Sequence, residues 1–305
     1  PAGGSYDAYA RVVAMHMPDH IPGHPTIIAE NMPGAGGLKS ANYLYNVAPK
    51  DGLVISTGYA GLPTTQLLSP DGAQFDATKF SWIGSLTEDP YVGFVWHTSP
   101  IRTFEDMKTR ETIFGGSAVG GAGTDYAIIA RDMLGMKLKI VTGYPNSPDM
   151  KLAMQRGEID GEFAESWGAL NVTEPAWLKD GTVRIVIQHG FKPLRELPNV
   201  PLLIDQAKTD ADRQALDLLL ARQETAKPYF APPGIPADRL AVLRKAFDAT
   251  LRDPSFLADL DKEHLGINAP MNGDEIAAFT AKLAATPPSI VNRITQMLAS
   301  FNDSK

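Results

Sequence analysis

Residues 27–58, IIAENMPGAGGLKSANYLYNVAPKDGLVISTG, decide the fold class of this chain. A β-rich run at 26–29 leads into the turn MPGAGG at 32–37, a helical stretch follows at 38–47, and a second β-rich run stands at 53–58. Strand, glycine turn, helix and strand in succession is the unit from which α/β domains are built, and it predicts largely parallel sheets. The alternation continues, with further strands predicted at 80–86, 92–97, 112–115, 137–141, 159–164 and 183–188. Helices are predicted at 8–17, 103–108, 124–134, 148–156 and 210–223; the last has Asp210 as its N-cap and Leu216, Leu219 and Leu220 on one buried face. Beyond Pro236 no strand is predicted. Residues 237–251, 254–264, 273–284 and 288–301 read as helices, each introduced by Pro, Asp or Gly.

At 305 residues the chain exceeds what one core usually organises, so two domains of roughly 150 residues each are expected. The segment KPYFAPPGIP at 227–236 is too rich in proline for a helix interior and reads as a crossover, with TSPIRT at 98–103 as its counterpart. The expected division is 1–98 with 227–305 as one domain and 99–226 as the other, the helical tail returning to cover the first. No internal repeat and no low-complexity run interrupts the pattern.

Composition narrows the function classes. With 44% hydrophobic and 21% charged residues, 27 Gly and 24 Pro, the chain is globular and rich in loops, not disordered, collagenous or coiled-coil. Its 28 Lys and Arg against 35 Asp and Glu give a net charge of −7, with the basic residues scattered, so a nucleic-acid partner is not expected. The absence of cysteine removes thiol nucleophiles, thiolate zinc sites and disulfides, and leaves the compartment open. No run of about 18 apolar residues spans a membrane, and no basic stretch followed by an apolar one opens the chain; any signal peptide is expected to have been removed.

Three glycine-rich turns stand directly before predicted helices: PAGGSYD at 1–7, MPGAGG at 32–37 and GGSAVGGAGT at 115–124. Glycine lets backbone N–H groups approach a ligand, and the unpaired amides of a helix start favour an anion. Phosphate signatures fail. GAGGLK and GGAGTD lack the Lys and Ser or Thr of a P-loop, and the dinucleotide fingerprint meets Lys39 and Tyr126 where its third glycine belongs. A carboxylate, which accepts several N–H bonds without a metal, fits better.

Catalytic constellations are poor. Val119 occupies the last glycine position of a nucleophile elbow around Ser117, which leaves Ser117 as a hydrogen-bonding loop residue. His16, His20 and His24 recur at a helical spacing suited to a metal, but Pro18 and Pro22 break that helix, and solvated turn residues are expected. In RGEIDGEFAES, alternation puts Glu158, Asp160 and Glu162 on one side of a strand. Acid–base work is conceivable there, but a strand end exposing acids to water is the favoured reading. Tyr6, Tyr59, Phe163 and Trp167 border the glycine loops as candidate walls or core residues.

PAGGSYDAYAR, a P-x-G-G-x-x-D turn followed by a helix with Arg, and IIAENMPGAGGLKSANYL, with NVAPKDGLVISTG after it, resemble the opening of the Bug-type periplasmic solute receptors of tripartite tricarboxylate transporters. The similarity runs through LGMKLKIVTGYPNSPDMKLAMQRGEIDGEF to YFAPPGIPADRLAVLRKAF and DPSF, and so covers nearly the whole chain. Family members carry a strand before the first glycine loop, so this chain is expected to be trimmed. Its acidic GEFAESWGAL departs from the more neutral stretch of many relatives.

The resemblance implies a two-domain α/β fold of the periplasmic-binding-protein (Venus flytrap) type, hinged, closing on a small mono-, di- or tricarboxylate or an aromatic acid. It implies no catalysis and no cofactor, a periplasmic monomer, and delivery of the ligand to a membrane permease. A sensory receptor of the same fold, or an enzyme using the acids of 158–165, are the alternatives. Candidate ligand contacts are Ala2, Gly3, Gly4, Ser5, Tyr6, Asp7, Gly34, Ala35, Gly36, Gly37 and Tyr59 on the first domain. On the second they are Ser117, Ala118, Gly123, Thr124, Tyr144 and Glu165. Asp7 is expected to cap the first helix and to touch ligand only through water.

Overall fold

A computed structural model of the chain describes residues 4–303; the expectations for Pro1, Ala2 and Gly3 lie outside the described residues. The chain divides into a first unit, Pro1–Glu88 with Ala221–Ala285, and a second, Asp89–Leu220 with Thr286–Lys305. In chain order the first unit begins with α1 (Ser5–His16), α2 (Leu38–Asn46), β1 (Ser56–Thr57), α3 (Leu62–Leu68) and β2 (Ser81–Ser85). The second unit follows as β3 (Tyr91–Trp96), α4 (Asp106–Thr109), β4 (Thr112–Gly116), α5 (Ala122–Leu134), β5 (Leu138–Thr142) and α6 (Ser147–Gln155). It continues through β6 (Gly161–Ser166), α7 (Trp167–Thr173), α8 (Pro175–Lys179), β7 (Val183–His189) and α9 (Asp210–Leu220). The chain then returns to the first unit for β8 (Pro228–Ala231), α10 (Ala237–Thr250), α11 (Pro254–Lys262), β9 (Met271–Asn272) and α12 (Gly273–Ala284). It ends with α13 (Pro288–Asp303) on the second. Among the described residues no helix is long and apolar enough to cross a membrane.

The sheet of the first unit has the order β1-β8-β2-β9, and each of its pairings is antiparallel. This corrects the expectation of largely parallel sheets and the reading of 227–236 as a crossover. Pro228 opens the strand, where a missing N–H costs least, and Tyr229, Phe230 and Ala231 after it are buried. Phe230 packs against Phe80 at 4.7 Å and Trp82 at 5.2 Å between ring centroids. Residues 26–29 form no strand; Ile28 is 77% exposed there, and a β-rich run without a partner strand has nothing to pair with. Nor do the strands stop at Pro236, since β9 pairs with β2.

The three spaced histidines also differ from expectation. His16 is buried, and its Nε2 lies 2.9 Å from Asp259 Oδ2, while His20 Nε2 lies 3.0 Å from Asp253 Oδ2, so both pair with acids of the α11 segment. His24 alone stands exposed in a turn. Among the described residues no group of three or more His, Asp or Glu side chains is placed to hold a metal.

The second unit carries a sheet of order β5-β4-β6-β3-β7. β4 runs parallel to β5 and β6, whereas β3 is antiparallel to β6 and β7. Gly161 is required where β6 enters: a Cβ there would lie 2.9 Å from Val95 Cα and closer still to the Phe94 carbonyl. The last helix corrects the expected domain division. α13 packs on α5 and α9, with Arg293 2.7 Å from Asp212 and Phe301 under the Arg131 guanidinium at 5.3 Å. Only α10, α11 and α12 of the tail belong to the first unit.

Candidate functional site

Three parallel strands of the second unit end side by side, and each hands over to a helix at the same edge of the sheet. β4 leads through residues 117–121 to α5, β5 through 143–146 to α6, and β6 directly to α7. The carboxyl edge of such strands is where open α/β sheets hold ligands, because the helix starts there leave backbone amides unpaired. Gly120 takes φ +100°, and its amide donates to Asp125 Oδ1 at 2.8 Å, which fixes the turn ahead of α5. Gly121 stands at the N-cap without a side chain to close it. At α6 the N-cap is Asn146, whose Oδ1 accepts from the Asp149 amide at 3.0 Å.

These segments enclose a cavity of about 350 Å³. Gly115, Gly116, Ser117, Ala122 and Gly123 form one wall, Pro145, Asn146, Ser147 and Met150 a second, and Glu162 to Ser166 a third, with Tyr91 beside them. Glu162 is 2% exposed. Its Oε1 accepts from Ser147 Oγ at 2.9 Å, and Glu165 lines the same cavity as a second carboxyl group. Burial above all, then the negative charge of Glu165, pushes the Glu162 pKa well above the ordinary carboxyl range. Lys151 opposes that shift, but its ammonium is bonded to Thr173 Oγ1 at 2.9 Å and paired with Glu174 at 3.4 Å.

The sequence reading placed Glu158, Asp160 and Glu162 together in water, and the structure separates them. Glu158 is exposed near Arg156, Asp160 accepts the Ile113 amide at 2.8 Å, and Glu162 is buried in the cavity wall. β6 starts only at Gly161, so alternation does not extend back to 158.

Of the second-domain expectations, Ser117, Gly123 and Glu165 come together at the cavity, with Phe163 among the walls. Thr124 is fully buried, its Oγ1 3.5 Å from the Ser117 carbonyl, and so braces the loop from behind. Tyr144 donates its amide to the Gly116 carbonyl at 3.3 Å and packs its ring, like Trp167, on the apolar cluster under the sheet. Ala118 is exposed on the loop. Tyr91 was not anticipated, Glu162 was read as a strand-end acid exposed to water, and Asn146 and Ser147 lie in the turn at 143–147 that the family resemblance places near the ligand. The signal for two of them was present in NSPD, an N-cap residue ahead of Pro at the second helical position.

On the first unit, Gly4, not Asp7, occupies the N-cap of α1, and Ser5 is exposed. Asp7 lies in the first turn, where its carboxylate accepts from Asn31 Nδ2 at 2.9 Å and pairs with Arg11 at 3.0 Å, which corrects its expected capping role. The Ala60 amide donates to Tyr6 Oη at 3.0 Å, and the Lys227 ammonium lies 4.2 Å from the centre of the Tyr6 ring. Gly34, Ala35 and Gly37 all have positive φ, and Gly36 lies in the short 3-10 turn they form. Tyr59 packs on Gly37 so closely that a Cβ would come within 2.6 Å of its ring. Burial raises the Tyr59 pKa, and Arg222 pulls it down. The cations Arg222 and Lys227 beside these tyrosines had no local sequence signal.

Serine chemistry finds no support in the described geometry. Ser255 Oγ, His16 Nδ1 and Asp259 lie in a chain of contacts at 3.2 and 2.9 Å, but the Ser255 hydroxyl donates to Asp253 at 2.7 Å as part of the cap of α11. In the second unit His189 is wholly buried and held to about 4 by burial, with Nε2 on the Phe163 carbonyl.

No family model matches the chain. The UPF0065 protein in the gbd 5′ region of Cupriavidus necator is 24% identical over 302 residues, 96% of this chain and 84% of that one. Among solved structures, a TctC solute-binding protein from Polaromonas superposes with a TM-score of 0.74 at 20% identity, covering 96% of this chain and 95% of the other. The periplasmic binding protein BugD gives 0.61 at 19% identity over 97% and 94%. Rpa4515 of R. palustris, solved with adipate, gives 0.62 at 18% identity over 98% and 94%. The chain therefore has, over nearly its whole length, the fold of the TctC and Bug-type periplasmic solute-binding proteins.

Proposed function

We propose that this chain is a periplasmic receptor that captures a small carboxylate and delivers it, chemically unchanged, to the permease of a tripartite tricarboxylate-type transporter. The observation that carries the proposal is the cavity of the second unit, walled by the starts of α5 and α6. Its size falls in the range of small-molecule sites. The similarity to solute-binding proteins, one of them holding adipate, supports the carboxylate class. Each helix start contributes only about 0.3–1 kcal/mol to an anion, whereas micromolar affinity needs about 8 kcal/mol. Charge-assisted hydrogen bonds in a water-poor cavity therefore supply most of the affinity. The glycine turn at Gly34 to Gly37 of the first unit, with Tyr6 and Tyr59, is proposed as a further source of ligand contacts.

Thermal unfolding of the full chain against aliphatic diacids, tricarboxylates, aromatic acids and amino acids tests this. A ligand at about 100 times its Kd stabilises by about 2.7 kcal/mol, which moves the midpoint by several degrees. A selective shift, with the acid recovered unchanged after incubation, is the expected result. A flat panel overturns the carboxylate reading, and turnover of a bound acid favours the enzyme alternative.

A further inference from the structure

The cavity proposed to hold an anion is walled by two acids. Glu162, the second residue of β6, is 2% exposed, and Glu165 stands three residues on in the same wall. Among the described residues the lining contains no Lys, Arg or His. Ser147, the first residue of α6, gives its hydroxyl to Glu162 Oε1 at 2.9 Å. The elements packed on β6 bring little positive charge to this pair. From α6, Lys151 is felt at Glu162, but its ammonium is bonded to Thr173 Oγ1 and paired with Glu174. From α5, Asp125 accepts the Gly120 amide at 2.8 Å, and ahead of β3, Asp89 accepts from Ser166 Oγ at 2.6 Å, so both are further acids. The neighbouring strands set Gly115 and Phe94 opposite Glu162 and Val92 opposite Glu165, and Tyr91 adds a phenol. α7 carries no titratable residue, and His189 of β7 is buried and neutral against the Phe163 carbonyl.

An anion entering this space meets the pair in one of two states. With both carboxyls ionised, three like charges share a cavity of about 350 Å³. With a proton on the pair, one repulsive charge disappears and an O–H donor appears in the wall that the anion touches. Burial already favours the neutral form of Glu162, and an incoming negative charge pushes in the same direction. Ser147 can donate to the neutral acid as it does to the ion, so protonation leaves that contact in place. Anion binding and protonation then strengthen one another by the same factor. Resting on the carboxylate reading above, we infer that the second unit takes up a proton at the Glu162–Glu165 pair as it captures the acid, which makes its affinity pH-dependent. The proton belongs to the pair, since two interacting carboxyls titrate together.

Calorimetric titration of the full chain between pH 6.5 and pH 9 tests the inference. The probes are adipate, glutarate, L-malate and benzoate, all ionised across that range, with any acid that the unfolding panel selects. Each titration is run in Hepes and in Tris, whose different heats of ionisation reveal the protons exchanged. In part of the range the protein is expected to take up protons on binding, with Kd rising by up to about tenfold per pH unit. Glu162→Gln, whose amide oxygen still accepts from Ser147, is expected to abolish the uptake and flatten the pH dependence. Glu165→Gln, which removes the neighbouring charge, is expected to reduce both. A purely structural role would lower affinity equally at every pH and leave the uptake intact. If an acid binds without proton uptake and with the same Kd across the range, or if both Gln variants keep the uptake, the inference falls and the carboxylate reading stands. If no acid binds the folded protein at any pH, the carboxylate reading falls and takes the inference with it.

Discussion

The glycine turns of the two units are held in place by different means. In the second unit the turn before α5 continues a strand of a regular sheet, and its geometry follows from β4 lying between β5 and β6. In the first unit no strand leads into Gly34 to Gly37; three of those residues have positive φ, and the ring of Tyr59 lies against the last. Regular pairing fixes one turn, and local conformational freedom with a single aromatic support fixes the other. Substitution at the second kind of turn is therefore expected to be costly out of proportion to the atoms added.

Gly37→Ala is the sharpest test of that contrast. Gly37 has φ +106°, and the added methyl would stand 2.6 Å from the Tyr59 ring. A backbone in that region costs an L-residue about 1–3 kcal/mol. Urea unfolding is expected to show a loss of that order, and Tyr59→Leu in the same background should return only the steric share. A loss below about 0.5 kcal/mol, the level of an ordinary surface change, would show that the turn relaxes freely and would break the comparison.

The units also contrast in how they place charge. The second buries Glu162 beside a like charge; the first sets Asp253 and Asp259, near the surface, against His20 and His16. Because the folded pKa of Glu162 is raised, its carboxyl ionises more readily in the unfolded chain, and stability falls as pH rises above the unfolded value of about 4.3. Glu162→Gln removes that penalty. Its melting temperature relative to the unsubstituted protein is expected to rise between pH 4 and pH 8, measured by circular dichroism without ligand. A difference that stays flat across that window would mean that Glu162 is ionised in the fold.

How far the sequence reaches follows the same division. The βα units around β4, β5 and α6 were legible because strand and helix periods alternate locally and a glycine or NSPD marks each boundary. β8 was not, since its proline suggested a break and its status as a strand depends on partners more than a hundred residues away, β1 and β2. Residues 26–29 failed in the opposite sense, with strand composition and no partner. The burial of Glu162 was hidden because alternation says which residues share a face, not that α6 will cover that face. Arg222 and Lys227 reach the tyrosines of the first glycine turns only through the return of the chain.

Asp253 carries the smallest and oppositely signed effect. Its carboxylate accepts the Ser255 hydroxyl at 2.7 Å and amide at 2.8 Å, and lies 3.0 Å from His20 Nε2. The Ser255 hydroxyl, then its amide, then His20 hold its pKa down to about 2. A carboxyl whose folded pKa is depressed contributes stability above the unfolded value of about 3.9, and that contribution is lost as pH falls through the folded value. Asp253→Asn keeps an acceptor at the α11 cap, since Asn caps nearly as well as Asp, but gives up the charge. Its melting temperature is expected to fall slightly below that of the unsubstituted protein at pH 6, with the gap closing towards pH 2.5. Glu162→Gln and Asp253→Asn then bend the stability profile in opposite directions, one gaining towards alkaline pH and the other recovering towards acid. Two profiles that bend the same way would show that the pH response does not divide between a buried pair in one unit and a surface cap in the other.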